Sequence, residues 1–200
     1  MGVDRELWLR NKEVMYKRLL NDLHIGYLDE DIEEVLLEIF KRRDSYTVSS
    51  CSGRIVMVDC VLPWIRRNST VVFKKHKPIS REEFLDLLSK PILYNLWVVI
   101  TSPIIHVVTA DLKEARRILV IGREAGFKHS GIISIRRDGI ILELRSGVGL
   151  TQIVKAGSKI LVDISNVDEL VSMYNNVLTS GKERLEKLKE LLRKYSEEEH

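Results

Sequence analysis

Cysteine and long apolar runs are scarce in this chain of 200 residues, and each shortage excludes a class of protein. Cys51 and Cys60 are not spaced as zinc ligands or as a redox pair, and the five histidines form no HxxxH pattern. We therefore predict no metal site. No apolar run approaches the roughly 20 residues that span a bilayer, and the charged N-terminus lacks the apolar segment of a signal peptide. We expect a cytoplasmic protein with no membrane partner.

Glycine-rich nucleotide-binding patterns are also missing. No GxGxxG follows an apolar strand-like run, which argues against a Rossmann cofactor domain, and no GxxxxGK motif occurs. With only four prolines and 11 glycines, the chain has no Pro-, Gly- or Ser-rich linker, and no repeat is visible. We predict a single domain over residues 1–200. The net charge of +3 permits a nucleic-acid partner without requiring one.

Hydrophobic periodicity divides the chain into three parts. Residues 4–44 and 165–196 show helical spacing, the second with an interruption near 179–181. Residues 46–147 carry β-branched apolar runs and two helices, for which Ser80 with Glu83 and Asp111 with Glu114 are capping boxes. Asp138-Gly139 between two such runs predicts a hairpin. The strands come in runs rather than in strict βαβ alternation. The predicted class is therefore α+β, with a largely antiparallel sheet flanked by helices.

Three segments combine small residues with a cation at the edge of an apolar strand. They span residues 49–54 (Ser-Ser-Cys-Ser-Gly-Arg), 126–131 (Gly-Phe-Lys-His-Ser-Gly) and 145–147 (Arg-Ser-Gly). Small residues leave backbone N–H groups accessible, so such loops can surround a carboxylate or phosphate. The alternative for the first segment is a Ser/Gly turn whose hydroxyls cap their own backbone. The pattern predicts that the segments meet around a common hollow.

Titratable and cationic side chains supply further candidates. His106 lies within an apolar run, where a single histidine is either a functional group or a hydrogen-bonded core residue. Trp64 or Phe127 could stack on a base. The cations that could follow the phosphates of an RNA are Arg42, Arg43, Arg66, Arg67, Lys74, Lys75 and Lys77. For Arg42 and Arg43, complementing the dipole of a helix is the alternative.

The motifs resemble those of the tRNA wybutosine-synthesizing protein 3 family. The resemblance rests on Tyr-x-x-Ser-Ser-Cys-Ser-Gly-Arg-Ile-Val at 46–56, His-Lys at 76–77, Pro-x-x-His at 103–106, Gly-Phe-Lys-x-Ser-Gly-Ile at 126–132 and Arg-Ser at 145–146. Their order and spacing agree with the family over roughly residues 46–147. The family commonly has a histidine soon after the Arg-Ser pair, and here Gly147-Val148 follows instead.

This resemblance implies a methyltransferase that uses S-adenosyl-L-methionine as methyl donor. It is expected to methylate N4 of a 4-demethylwyosine derivative at the modified guanosine 37 of tRNA(Phe), next to the anticodon, on a small α+β fold distinct from Rossmann methyltransferases. The residues proposed to hold the carboxylates of donor or substrate are Ser49, Ser50, Cys51, Ser52, Gly53, Arg54, Lys128, Ser130, Gly131, Arg145 and Ser146. The implied reaction also requires that an N–H nitrogen lose its proton; His76 and His106 are the candidate proton acceptors, and Asp59 could orient one of them or act itself. The alternative is a non-catalytic RNA-binding or carboxylate-binding α+β protein.

Overall fold

The structure is a computed structural model that describes residues 2–65 and 67–197. Its helices are α1 (Arg5–His24), α2 (Glu33–Lys41), α3 (Arg81–Ser89), α4 (Leu112–Glu124) and α5 (Val167–Glu197). Its strands are β1 (Ser45–Cys51), β2 (Arg54–Cys60), β3 (Thr70–Lys75), β4 (Asn95–Thr101), β5 (Ile104–Thr109), β6 (Gly131–Arg136), β7 (Gly139–Arg145), β8 (Gly149–Ala156) and β9 (Lys159–Ile160). Among the described helices, none is both long and apolar enough to cross a membrane.

The chain forms two compact units, each with its own antiparallel sheet. Unit 1 comprises Met1–Ser52, Pro103–Gly147 and Lys182–His200, and unit 2 comprises Gly53–Ser102 and Val148–Gly181. The α+β class with antiparallel pairing is confirmed, although the strands form two sheets where the sequence predicted one. The single domain over residues 1–200 stays a prediction.

Unit 1 is built on the sheet β1-β5-β7-β6, with α4 packed against one face, where Gly122 lies next to Leu144, and α1 packed against the other, where Trp8 contacts Tyr46. The face towards α4 carries the alternate apolar residues of β5 and β7. The buried core joins Ile105, Val107, Leu142 and Leu144 of the sheet to Trp8, Ile39, Ile118 and Leu188 of the helices α1, α2, α4 and α5. The opposite face therefore carries the intervening residues of the same strands.

Unit 2 contains the sheet β3-β2-β4-β8-β9 and a second core. Phe84 of α3 and Tyr174 of α5 pack edge to face there, with ring centroids 5.7 Å apart. Burial raises the pKa of the Tyr174 hydroxyl, which hydrogen-bonds to Gln152 at 3.0 Å. Met57 and Val98, a cross-strand pair of β2 and β4, are completely buried in the same core.

Local signals located the ends of several elements correctly. Ser80 and Glu83 form a reciprocal capping box at the start of α3. Asp111 accepts a hydrogen bond from the backbone N–H of Glu114 at 2.8 Å. The hairpin β6–β7 is confirmed, and Gly139 has φ +147° there; a Cβ on it would lie 2.3 Å from Val108.

Two local predictions are wrong. The predicted interruption near residues 179–181 is absent, because α5 continues through Gly181 between buried Leu178 and Leu185. A single glycine costs a helix only about 1 kcal/mol, so packing on either side outweighs it. The loop predicted at 49–54 is mostly strand, since β1 extends to Cys51 and β2 begins at Arg54.

Candidate active site

A row of four residues crosses the sheet of unit 1 on the face opposite Ile105, Val107, Leu142 and Leu144. Ser49 of β1 pairs with His106 of β5, His106 pairs with Glu143 of β7, and Glu143 pairs with Gly131 of β6. Directly paired residues on antiparallel strands project to the same face. The register therefore brings Ser49 and Gly131, which lie in separate sequence motifs, to either side of His106.

Ser49 reaches this face because β1 contains a β-bulge. Thr47 pairs with Val107, and the next pair joins Ser49 to His106, so Val48 is the extra residue. In a regular ladder Val48 would face His106, and Ser49 would point to the other side of the sheet. Val48 instead packs against the core of unit 1. The bulge thus redirects the hydroxyl towards the histidine.

The side chains of this row form a hydrogen-bonded chain. Ser49 Oγ lies 2.6 Å from His106 Nδ1, and His106 Nε2 lies 3.1 Å from Glu143 Oε2. The side chains of His106 and Glu143 are 26% and 25% exposed, and Ser49 is exposed. His106 is therefore a partly accessible, hydrogen-bonded group and not a buried core residue.

The end of β1 is held by charged residues of unit 1. The backbone N–H of Ser52 donates to Asp29 Oδ2 at 3.1 Å. Lys182 of α5 donates to Ser52 Oγ at 3.2 Å and forms an ion pair with Asp31. The first small-residue segment therefore has a lysine beside it that the sequence motif did not include.

The other two segments of small residues lie against each other, while the meeting of all three around a common hollow stays a prediction. Ser130 Oγ donates to the carbonyl of Phe127 at 2.6 Å and accepts from the backbone N–H of Arg145 at 3.0 Å. The backbone N–H of His129 donates to the carbonyl of Arg145 at 3.0 Å. A Cβ on Gly147 would lie 2.6 Å from the His129 ring. The side chains of Lys128 and Arg145 are exposed at this edge.

Arg184 of α5 contacts both of these joined segments. Its Nη1 donates to Ser146 Oγ at 3.3 Å, and its side chain covers Gly126, where a Cβ would lie 2.9 Å from Nε. Gly126 has φ +97°, a conformation that side chains disfavour. Sequence reasoning missed Lys182, Arg184 and Glu143, because each stands in an ordinary helix or strand pattern. The one sequence signal for Glu143 was a charged residue within the apolar run that forms β7.

Four of the remaining predicted site residues belong to unit 2. Gly53, with φ +88°, makes the turn before Arg54, and Arg54 opens β2 opposite Thr101. His76 follows β3 and is half-buried. Asp59 accepts hydrogen bonds from the backbone N–H groups of Leu93 and Tyr94 at 2.6 and 2.9 Å. These two bonds account for its burial and favour a structural role over the predicted catalytic one.

In unit 1, half-buried Ser50 and Cys51 pair with Ile105 and Ile104.

Two side chains predicted to contact RNA, those of Arg42 and Phe127, are buried. Arg42 is 6% exposed, and its guanidinium binds both oxygens of Glu114 at 2.6 and 3.1 Å. Phe127 is completely buried in the core of unit 1, so its ring is not available to stack on a base. Lys75 is occupied by Glu83, at 2.8 Å from each of its oxygens. Arg66 lies outside the described residues.

Other candidate RNA contacts are accessible. The side chains of Arg43, Arg67, Lys74 and Lys77 are exposed, and Trp64 is 71% exposed. Cations and an aromatic ring are the groups that bind phosphates and bases. Their contact with RNA stays a prediction.

The fold and site define the class as an α+β protein without a Rossmann sheet, carrying a Ser–His–Glu row beside segments of small residues and cations. The profile of the family described as Methyltransferase TYW3 matches residues 10–194. The chain belongs to this methyltransferase family.

Relatives with assigned names support this membership over nearly the whole chain. A protein of Saccharolobus solfataricus is 41% identical over 93% of this chain and 90% of its own. One of Aeropyrum pernix is 35% identical over 82% of this chain and 87% of its own. Both are named tRNA(Phe) 7-((3-amino-3-carboxypropyl)-4-demethylwyosine(37)-N(4))-methyltransferase.

Solved structures show the same fold. The PH1069 protein from Pyrococcus horikoshii superposes with a TM-score of 0.88 at 29% identity, covering 94% of this chain and 96% of its own. A hypothetical protein from Aeropyrum pernix gives a TM-score of 0.74 at 30% identity, covering 82% and 98%. The family resemblance predicted from the sequence motifs is confirmed.

Proposed function

We propose that this protein transfers a methyl group from S-adenosyl-L-methionine to N4 of a 4-demethylwyosine derivative at position 37 of tRNA(Phe). Membership of the methyltransferase family and the names of the relatives support the reaction. The observation that carries the site is the row of Ser49, His106 and Glu143, because a ring N–H nitrogen must lose its proton as it gains a methyl group. His106 is the proposed proton acceptor.

Two carboxylates have to be recognised in this reaction. The methyl donor carries a 3-amino-3-carboxypropyl group on sulfur, and the substrate named for the relatives carries the same group on its ring. Unit 1 has two places where small residues meet a half-buried cation of α5, one with Ser52 and Lys182 and the other with Ser146 and Arg184. A cation beside hydroxyl and backbone N–H donors is the combination that binds a carboxylate.

The residues present therefore fit the donor. Arg184 beside Ser146 would hold one carboxylate, and Lys182 beside Ser52 would hold a second by exchanging its ion pair with Asp31. Exposed Arg145 and Lys128 would add charge at the same edge. When bound, the donor supplies an electrophilic methyl group on a positively charged sulfur. The protein's own part is to orient the acceptor nitrogen and to take its proton. Positioning alone can account for a large share of the rate of such a displacement.

Contacts to the tRNA are proposed for the exposed cations. Arg67, Lys74 and Lys77 of unit 2 and Arg43 of unit 1 would bind phosphates, while Trp64 would stack on a base. Each phosphate contact contributes to a salt dependence of binding. The logarithm of the tRNA association constant should therefore fall linearly with the logarithm of the salt concentration. Binding that is insensitive to salt would contradict these contacts.

A methylation assay tests the proposed reaction. The protein is incubated with labelled methyl donor and tRNA from cells that lack it, and the digested nucleosides are analysed. We expect label in a wyosine-type nucleoside at position 37. In a parallel experiment, the midpoint of thermal unfolding should rise on adding S-adenosyl-L-methionine, since a ligand that binds only the native state stabilises it. tRNA binding with neither label nor shift would indicate the non-catalytic RNA-binding alternative, and a shift without tRNA binding would indicate the carboxylate-binding one.

Arg184→Ala tests the carboxylate assignment directly. We expect weaker binding of the donor, measured by calorimetry, or a higher KM for the tRNA, because one cation of the site is removed. Lys187→Ala is the matched control, since Lys187 is exposed on the same helix one turn away. If Arg184→Ala and Lys187→Ala bind both ligands as the wild type does, the assignment is wrong.

A further inference from the structure

Glu143 lies outside every motif that pointed to the site, yet its carboxylate is the second partner of the His106 ring. It contacts Nε2 at 3.1 Å, while Ser49 Oγ contacts Nδ1 at 2.6 Å. Both ring nitrogens are thus engaged, and the two contacts come from the neighbouring strands on either side of β5. The cross-strand register holds the three side chains in line.

The chemistry of the three groups assigns a direction to each hydrogen bond. A carboxylate only accepts hydrogen bonds, so the proton of the neutral imidazole lies on Nε2, directed at Glu143. Nδ1 then carries the lone pair and accepts the hydroxyl proton of Ser49. The lone pairs of Ser49 Oγ remain available, and the residue is exposed. In this arrangement Nδ1 accepts from Ser49 and Nε2 carries the proton, so an N–H donor arriving from outside finds its acceptor at Ser49 Oγ and not on the ring.

We infer that Ser49, His106 and Glu143 form a proton relay in which Ser49 receives the proton of the acceptor nitrogen, His106 stores it, and Glu143 fixes the required tautomer. This inference deepens the proposed function and depends on it for the identity of the acceptor. It gives Ser49 a role in proton transfer in place of the donor-binding role predicted from its motif. Glu143 is a positioning residue, because it acts through His106.

The proposed methyl transfer conserves protons and charge. The nitrogen–carbon bond forms as the carbon–sulfur bond of the sulfonium methyl donor breaks, and the bonding electron pair stays on sulfur. The N–H proton passes to Ser49 Oγ while the Ser49 hydroxyl proton passes to His106 Nδ1. The positive charge lost by sulfur ends on the imidazolium, 3.1 Å from the Glu143 carboxylate. A fixed opposite charge beside a developing cation lowers the barrier.

The β-bulge at Val48 gives independent support. It places the Ser49 side chain on the His106 face, and without it the register would bring Val48 opposite the ring. Bulges recur where a side chain has to be re-aimed next to an active site. A serine that served only to end the strand would not require one.

The ring tautomer tests the role of Glu143 in the ligand-free protein. Long-range ¹H–¹⁵N correlation spectra report which ring nitrogen of a histidine is protonated, and His106→Gln identifies the signals. We expect protonation of Nε2 in the wild type. We expect loss of that preference in Glu143→Gln, because an amide can donate to the ring as well as accept. Glu124→Gln is the control, since Glu124 accepts a hydrogen bond from Tyr195, at 3.0 Å, and not from a histidine.

Single-turnover methylation tests the relay itself. A general base contributes roughly 10²–10⁴-fold, so Ser49→Ala and His106→Gln should lower the rate within that range, and Glu143→Gln at least tenfold. Calorimetric binding of the donor should stay unchanged in all three variants. Ser134→Ala is the control for Ser49→Ala, because Ser134 lies in the same sheet and accepts a hydrogen bond from Arg136.

Two results would overturn the relay. One is an unchanged His106 tautomer in Glu143→Gln, and the other is a Ser49→Ala variant that binds the donor less tightly but turns over at the wild-type rate. If the wild type transfers no methyl group to tRNA, the proposed function fails. The spectroscopic measurement still decides whether Glu143 fixes the tautomer.

Discussion

Replacing Arg42 by methionine is expected to destabilise unit 1 without changing the contacts to RNA. The sequence placed Arg42 in a basic run at the end of α2, where it was a candidate for phosphate binding. In the structure its side chain is 3% exposed and that of Glu114 is 5% exposed. Methionine has a similar length but carries no charge, so the substitution removes the partner of a buried carboxylate.

The magnitude follows from the contacts of Glu114. Its carboxylate accepts two hydrogen bonds from Arg42 and one from Ser45 Oγ at 2.7 Å, and Arg117 is 3.9 Å away. Breaking a buried ion pair by removing one partner costs about 3–5 kcal/mol. For a protein of this size each kcal/mol lowers Tm by about 2–4 °C, so Tm should fall by roughly 10 °C.

Thermal and denaturant unfolding measure this loss, and the neighbouring Arg43 provides the matched control. Arg43→Met should change stability by less than about 0.5 kcal/mol, because the side chain is exposed. It should lower tRNA affinity and reduce the salt slope by about one, as expected for one lost phosphate contact. Arg42→Met/Glu114→Leu should recover most of the stability lost in Arg42→Met, since no buried charge is left unpaired.

The opposite pattern would refute this reasoning. If Arg42→Met unfolds at the wild-type temperature but binds tRNA more weakly, the arginine contacts RNA in solution. In that case the buried ion pair with Glu114 does not stabilise the protein. If the double variant is no more stable than Arg42→Met, the loss comes from packing and not from the unpaired carboxylate.

Two further predictions concern the site and the pH dependence of folding. Gly126→Ala should lower stability by about 1–3 kcal/mol and weaken donor binding in calorimetry, because the residue has φ +97° and a Cβ would displace Arg184; unchanged unfolding and binding would contradict this. Desolvation lowers the pKa of Lys12 from 10.5 to about 8, so the unfolded chain binds more protons than the folded one between these values. The free energy of unfolding of the wild type should therefore rise relative to that of Lys12→Met as pH increases from 8 to 10, and parallel stability curves would argue against this desolvation.

Several features were predictable because they depend on neighbours in the sequence. The capping box of Ser80 and Glu83 lies within four residues, and the hairpin at Gly139 needs only a turn between two apolar runs. The meeting of residues 126–131 with 145–147 follows from the same hairpin, whose strands lead from one segment to the other. Local hydrogen bonding and hydrophobic spacing determine such features.

Other predictions failed because the deciding partner is distant in the sequence. Arg42 finds Glu114 across 72 residues, and a basic run gives no sign of that partner. Ser49 belongs to a strand and not to a loop because β5 pairs with it, and a serine-rich stretch has low strand preference by itself. Phe127 looked like a ligand-facing ring in a loop of small residues, whereas it fills the core of unit 1.

The amino-acid sequence by itself determined the family, the α+β class and the segments that carry the candidate site, since motifs, periodicity and turn residues are local properties. Tertiary structure decided which of these residues act on one another. The register of β1, β5 and β7, shifted by one bulged residue, aligns Ser49, His106 and Glu143, and α5 brings Lys182 and Arg184 to the small-residue segments. Strand register and helix docking minimise the free energy of the whole core, so they cannot be read from any single stretch.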